Sequence, residues 1–164
     1  MLTLAVSLRA LRFSELMEVY SETNSKEAEN RFGDPAGFGL QQVEQDFRAY
    51  LQHVFFRTKG AVYALWENCG RYVCALRLEP YRDGLLISAL ETHPEFRRRG
   101  YACSLITQVQ NALPQGTKLY SHVEKRNTPS MMVHEQTGFQ CISKQAVYLD
   151  GSVDSRCCTL FYEI

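Results

Sequence analysis

Residues Thr92 to Ala102 read Thr-His-Pro-Glu-Phe-Arg-Arg-Arg-Gly-Tyr-Ala, at the joint between a β-forming stretch and an amphipathic one. A helix that starts here leaves about four backbone N–H groups without partners, and its aligned peptide dipoles put partial positive charge at the same end. Gly100 lets the backbone approach an anion with no Cβ in the way, Ala102 is small, and Arg97 and Arg99 can add charge-assisted hydrogen bonds. These residue types in this order suit a phosphate, and a pyrophosphate would fit. No G-x-G-x-x-G follows a strand and there is no G-x-x-x-x-G-K-S/T, so neither a dinucleotide fold nor a P-loop is supported. Alone, Arg-x-x-Gly-x-Ala is a loose pattern that an ordinary solvated turn also satisfies.

The elements that must position this turn follow from periodicity. Phe13, Leu16, Met17 and Tyr20 recur at helical spacing behind Ser14 as N-cap, the pattern dissolves over the polar stretch Ser21 to Asn30, and a loop is expected from Arg31 to Gly39. From Leu40, the positions Val43, Phe47, Tyr50, Leu51 and Val54 give a second helix that stops near Lys59-Gly60. Ala61 to Glu67, Arg71 to Leu78 and Leu85 to Thr92 read as an antiparallel meander joined by Asn68-Cys69-Gly70 and Pro80 to Gly84. A helix from about Gly100 to Pro114 and a strand from Leu119 to Val123 follow. Thr128 as N-cap, with Pro129 at the first helical position, then opens a short helix that Gly138 closes. Cys141 to Leu149 and Cys157 to Ile164 read as a long hairpin turning at Asp150-Gly151, and a first strand within Leu2 to Leu8 is marked only by its apolar run. The order is that of an α+β mixed sheet in one domain spanning residues 1–164.

Twenty-five residues after Ala102 the chain reads Asn127-Thr-Pro-Ser130-Met-Met-Val-His134-Glu-Gln-Thr-Gly138-Phe139. With the arginine turn and the element order around it, this resembles the GNAT superfamily of N-acetyltransferases over roughly residues 60 to 150. In that family an R/Q-x-x-G-x-G/A turn holds the pyrophosphate of acetyl-CoA. An N-x-x-A/S-x-x-x-Y-x-x-x-G-F segment lines the far side of the same molecule. The resemblance implies a mixed, mostly antiparallel sheet with a splayed central strand pair, helices on both faces and a C-terminal β-hairpin. It implies acetyl-CoA as co-substrate and direct transfer of the acetyl group to a primary amine. Residue by residue, it assigns Leu90 and Thr92 to the strand that hydrogen-bonds the pantetheine arm. Arg97, Arg98, Arg99, Gly100, Tyr101 and Ala102 form the pyrophosphate turn, and Asn127 and Ser130 contact the same molecule from the next helix. An amide-bearing chain in the gap between the strands of Thr92 and of Tyr120 to Val123 would satisfy unpaired backbone groups much as an added strand does.

One position departs from the pattern. Where the family most often has a tyrosine that protonates the departing thiolate, this chain has His134, whose ordinary pKa of about 6.5 makes the donor form scarcer at neutral pH. The amine must also lose a proton, and two side chains are candidates. Glu91 is a carboxylate in an apolar run, where burial would raise its pKa. His122 lies on the strand across the gap, where some family members carry a glutamate. A strand-end salt bridge to an arginine of the next turn is the alternative for Glu91, and a satisfied strand histidine for His122. A chain lacking the tyrosine could also be a catalytically silent acyl-CoA-binding module on the same fold.

The composition narrows the partners. The 164 residues carry 18 basic and 18 acidic side chains, and zero net charge argues against nucleic acid or anionic lipid as a partner. The apolar run Leu2 to Leu8 is about seven residues where a membrane span needs about 20, and Arg9 and Arg12 follow it where a signal peptide's charges precede it. A cytoplasmic protein is expected. The six cysteines show no zinc-ligand spacing, so reduced thiols and no metal are expected, with Cys103 packing and not acting as a nucleophile. The acceptor, a small molecule or a peptide amine, would be shaped by residues 20 to 56 and the final hairpin. Glu22, Glu27, Glu29, Asp34 and Glu44 could receive a cation there or simply face water. Both monomer and homodimer are open, with Phe161 and Tyr162 on a potential edge.

Overall fold

The computed structural model describes all 164 residues. Its strands are β1 (Leu2–Ala5), β2 (Val62–Asn68), β3 (Arg71–Tyr81), β4 (Gly84–Thr92), β5 (Lys118–Glu124), β6 (Gln140–Ser143), β7 (Ala146–Val147), β8 (Val153–Asp154) and β9 (Cys157–Glu163). Its helices are α1 (Phe13–Val19), α2 (Ser21–Phe32), α3 (Phe38–His53), α4 (Tyr101–Ala112) and α5 (Thr128–Gln136). Seven strands form one sheet in the order β1-β2-β3-β4-β5-β9-β6, antiparallel throughout except for the parallel pair β4 and β5. This is the mixed α+β architecture expected. No helix is long and apolar enough to cross a membrane.

Two cores sandwich the sheet. Leu16, Val19, Leu51, Phe55, Tyr63 and Leu65 are buried between α1–α3 and one face. Leu76, Ile87, Leu105, Ile106, Val109 and Leu119 are buried between the other face and α4, with Met131 and Val133 of α5 packed alongside. Truncating one such leucine to alanine costs about 2–5 kcal/mol.

Four expectations are corrected. The polar stretch from Ser21 is helical to Phe32. Only Asn24 and Ala28 of α2 are buried, one turn apart, so its apolar stripe is too narrow for periodicity to reveal. Packing on α3 and the Arg31–Asp46 ion pair at 2.7 Å hold it, and Gly33, at φ 66°, ends it. The helix expected from Leu40 begins at Phe38 and ends at His53, before a 3-10 turn. Ser14 is not an N-cap either, since α1 already includes Phe13. The long C-terminal hairpin is interrupted. β6 pairs with β9 across a bulge between Cys141 and Ser143, and β7 and β8 peel off as a separate two-stranded ribbon.

Candidate functional site

The site is built on a fault in the sheet. β4 and β5 run side by side only from Leu85–Leu119 to Ile87–Ser121, and beyond that point they no longer pair. Gly84 permits the close start, because a Cβ there would overlap the carbonyl oxygen of Lys118. A bulge opens the rest. Ala75 lies opposite Glu91 and Arg77 opposite Ser88, so Ala89 and Leu90 together face one residue of β3, and Ala89 takes φ 50°. Two buried tyrosines secure that strained residue: the Tyr63 hydroxyl donates to Tyr20 Oη at 2.8 Å, and Tyr20 donates to the Ala89 carbonyl at 2.6 Å. Burial raises the pKa of both phenols, Tyr20 far above the ordinary range, so both remain protonated donors. Neither tyrosine's part could be read from the sequence, because both sit at ordinary core spacing.

At the open end of the fault lies the arginine turn. Arg98 and Gly100 take positive φ, 61° and 78°, and α4 starts immediately after. The backbone N–H groups of Arg98, Arg99, Gly100, Tyr101, Ala102 and Cys103 have no acceptor in the protein, and nothing lies within 4 Å of the point where a Gly100 Cβ would stand. Such a concavity of N–H groups at a helix start binds anions. Arg98 and Arg99 are exposed and take part in no ion pair, Arg99 lying 5.3 Å over the Phe96 ring. Arg97 differs from them. Its guanidinium bonds Glu22 at 2.5 Å, Glu91 at 3.1 Å and the Thr92 carbonyl at 3.2 Å, turned toward α2. Cys103 donates to Gln136 of α5 at 3.2 Å, tying the two helices.

Glu91 sits on the same sheet face as α2. It accepts from Thr23 Oγ1 at 2.9 Å and from Arg97, and burial, opposed by these partners, raises its pKa. The arginine of the next turn is therefore its ion-pair partner. Leu90 packs into the α4-side core, and Thr92 Oγ1 points at Cys74 Sγ, 3.4 Å away on that side. His122, on β5 across the gap, is held edge-on between Tyr81 at 5.2 Å and Tyr148 at 5.1 Å. Both its ring nitrogens are buried without a partner, and burial, with Arg82 nearby, lowers its pKa.

The α5 residues are engaged within their own helix. Asn127, and not Thr128, is the N-cap, its Oδ1 accepting from the Ser130 N–H at 3.1 Å. His134 is 1% exposed and edge-on to Phe139. Its Nδ1 lies 2.8 Å from the Ser130 carbonyl, so the ring proton is on Nδ1 and Nε2 carries a lone pair with no partner. Donation from Nε2 requires the imidazolium, which burial disfavours. No group of three or more His, Cys, Asp or Glu is placed to hold a metal.

A family model described as FR47-like protein matches residues 70–148, which contain the fault, the turn and α5. No curated protein matches the sequence significantly. Among solved structures, the PaiA N-acetyltransferase of Thermoplasma acidophilum in complex with coenzyme A is 9% identical, with a TM-score of 0.66 over 100% of this chain and 99% of that one. A ribosomal-protein alanine N-acetyltransferase of Escherichia coli is 16% identical, with a TM-score of 0.61 over 100% and 94%. A variant spermidine N-acetyltransferase of Vibrio cholerae is 14% identical, with a TM-score of 0.57 over 99% and 94%.

Proposed function

We propose that this chain is a member of the GNAT superfamily and an N-acetyltransferase that moves the acetyl group of acetyl-CoA directly to a primary amine in a ternary complex. The observation that carries this reading is the coincidence, at one end of the β4–β5 fault, of six unpartnered N–H groups, two unpaired arginines and open space at Gly100. Those groups fit a pyrophosphate, and the unpaired strand edges fit the amide-bearing arm that would run from it. The acetyl thioester supplies the activated carbonyl. Arg98, Arg99 and the N–H groups of residues 98–103 hold the phosphates. An N–H of the Leu90 to Thr92 segment faces the developing charge on the carbonyl oxygen, a contribution that removal of one such donor elsewhere puts at about 3–4 kcal/mol.

Deprotonation of the amine falls to Glu91 or His122. Each is partly buried: burial moves the Glu91 pKa upward, toward the range useful for a base, and moves that of His122 downward, which keeps its ring neutral and able to accept a proton but makes it the weaker base. His134 contributes a proton only as the imidazolium. A second reading, a silent acyl-CoA-binding module, draws support from the same contacts, because Glu91 is tied to Arg97 and the His134 proton to Ser130. Titration with acetyl-CoA followed by thiol-release assays over a broad amine panel separates the two. Binding with turnover supports the enzyme, binding without turnover of any amine leaves the module, and no binding removes both.

A further inference from the structure

Arg77 of β3 is the one arginine of the chain that is not solvent-exposed, and it has no partner. It enters none of the chain's ion pairs. Its Nε is buried without an acceptor, and its guanidinium lies 5.2 Å from the Tyr50 ring centre and 5.8 Å from that of Phe55. The carboxylate two residues along the same face is already engaged, with Glu79 accepting from Tyr50 Oη at 3.2 Å and from Ser88 Oγ at 2.8 Å. A half-buried cation with no anion costs free energy that an exposed arginine does not incur. Its location is specific. Arg77 stands opposite Ser88, the last β4 residue before the bulge, on the face covered by α1–α3, and its charge is felt at the hydroxyls of Tyr20, Tyr50 and Tyr63.

We propose that Arg77 receives a carboxylate of the acceptor, so that the amine acetylated here belongs to a molecule carrying a carboxylate close to its primary amine. Two sources share that chemistry, a free α-amino acid and a peptide with an acidic residue at its amino end. A guanidinium matches a carboxylate through two parallel hydrogen bonds, and with Nε buried the terminal nitrogens supply them. This inference rests on the acetyl-transfer reading and specifies its acceptor.

The test compares free amino acids with their amides, and acidic peptides with the corresponding Asn or Gln peptides, in thiol-release assays of the wild type, Arg77→Met and Arg77→Lys. The wild type is expected to favour the carboxylate member of one of the two pairs by on the order of tenfold to a hundredfold in kcat/KM, chiefly through KM. Arg77→Met should shrink that ratio to about twofold while still binding acetyl-CoA, and Arg77→Lys should retain part of it. The pair that shows the preference identifies the source. Amines without a carboxylate turned over as well as those with one overturn the inference and leave acetyl transfer standing. If Arg77→Met does not fold, the wild-type comparison decides alone. If the wild type turns over no amine, calorimetric binding of the same pairs to the CoA-loaded protein decides, and equal binding of acid and amide overturns it.

Discussion

Gly100 allows the anion site to be tested by two substitutions that share one cost. Its φ of 78° and ψ of 5° are left-handed, a conformation that costs a residue with a Cβ about 1–2 kcal/mol. No atom lies within 4 Å of the added Cβ, so no steric term joins that cost. Gly100→Ala and Gly100→Glu should therefore both lower stability by about 1–2 kcal/mol, or roughly 2–8 °C in Tm for a chain of this size. They should differ in affinity for acetyl-CoA. Glutamate puts a negative charge among the free N–H groups of residues 98–103, where it competes with a phosphate and repels it. At about 5 Å, with an effective dielectric of about 20–60, that repulsion is about 1–3 kcal/mol per charge pair. The expected result in a calorimetric titration is a Kd raised on the order of tenfold to a hundredfold for Gly100→Glu and less than about threefold for Gly100→Ala. Equal Kd values for the two variants would refute the placement of the pyrophosphate.

Other outcomes follow from the same contacts. Replacing Arg98 and Arg99 together by Ala should weaken acetyl-CoA binding and flatten its dependence on salt in titrations at two ionic strengths, because these cations are unpaired and exposed. Tyr20→Phe removes the hydroxyl between Tyr63 and the Ala89 carbonyl and should cost about 1–3 kcal/mol in denaturant unfolding, with kcat falling more than the KM for acetyl-CoA rises. If Glu91 is the base, kcat/KM falls as pH drops through its raised pKa, and Glu91→Gln abolishes that limb of the profile. A limb that survives there and disappears in His122→Gln assigns the role to His122. His134 has a folded pKa below its unfolded value of about 6.5, so its contribution to stability is fully present above that pH and is lost as pH falls through the lowered value. His134→Phe should reduce the fall of Tm between pH 7 and 5. His122 adds a slope of the same sign, so part of the dependence should remain.

The meander, α4 and the arginine turn were legible because each obeys a local rule: β-forming residues between turn signals for the strands, 3.6-residue spacing for α4, and a glycine with a small residue two positions on at the helix start. α2 was not, because two buried residues in twelve do not form a periodic stripe. Within the site, sequence alternation alone places Ser88 and Glu91 on opposite faces of β4. The bulge at Ala89–Leu90 adds one residue and brings both to the α1–α3 face, beside Glu79 and Thr23 respectively. Arg97 read as the equal of Arg98 and Arg99 until Glu22, 75 residues away in the chain, proved to be its partner.

The sequence by itself determined the chemistry available, an anion-binding helix start, two candidate bases and a histidine where a tyrosine is usual, because residue type and local spacing set hydrogen-bonding capacity and backbone conformation. The tertiary structure alone decided which of those groups are free. Charge pairing, bulge register and burial depend on residues distant in the chain, and these leave Arg98, Arg99 and Arg77 unpaired while engaging Arg97 and the ring proton of His134.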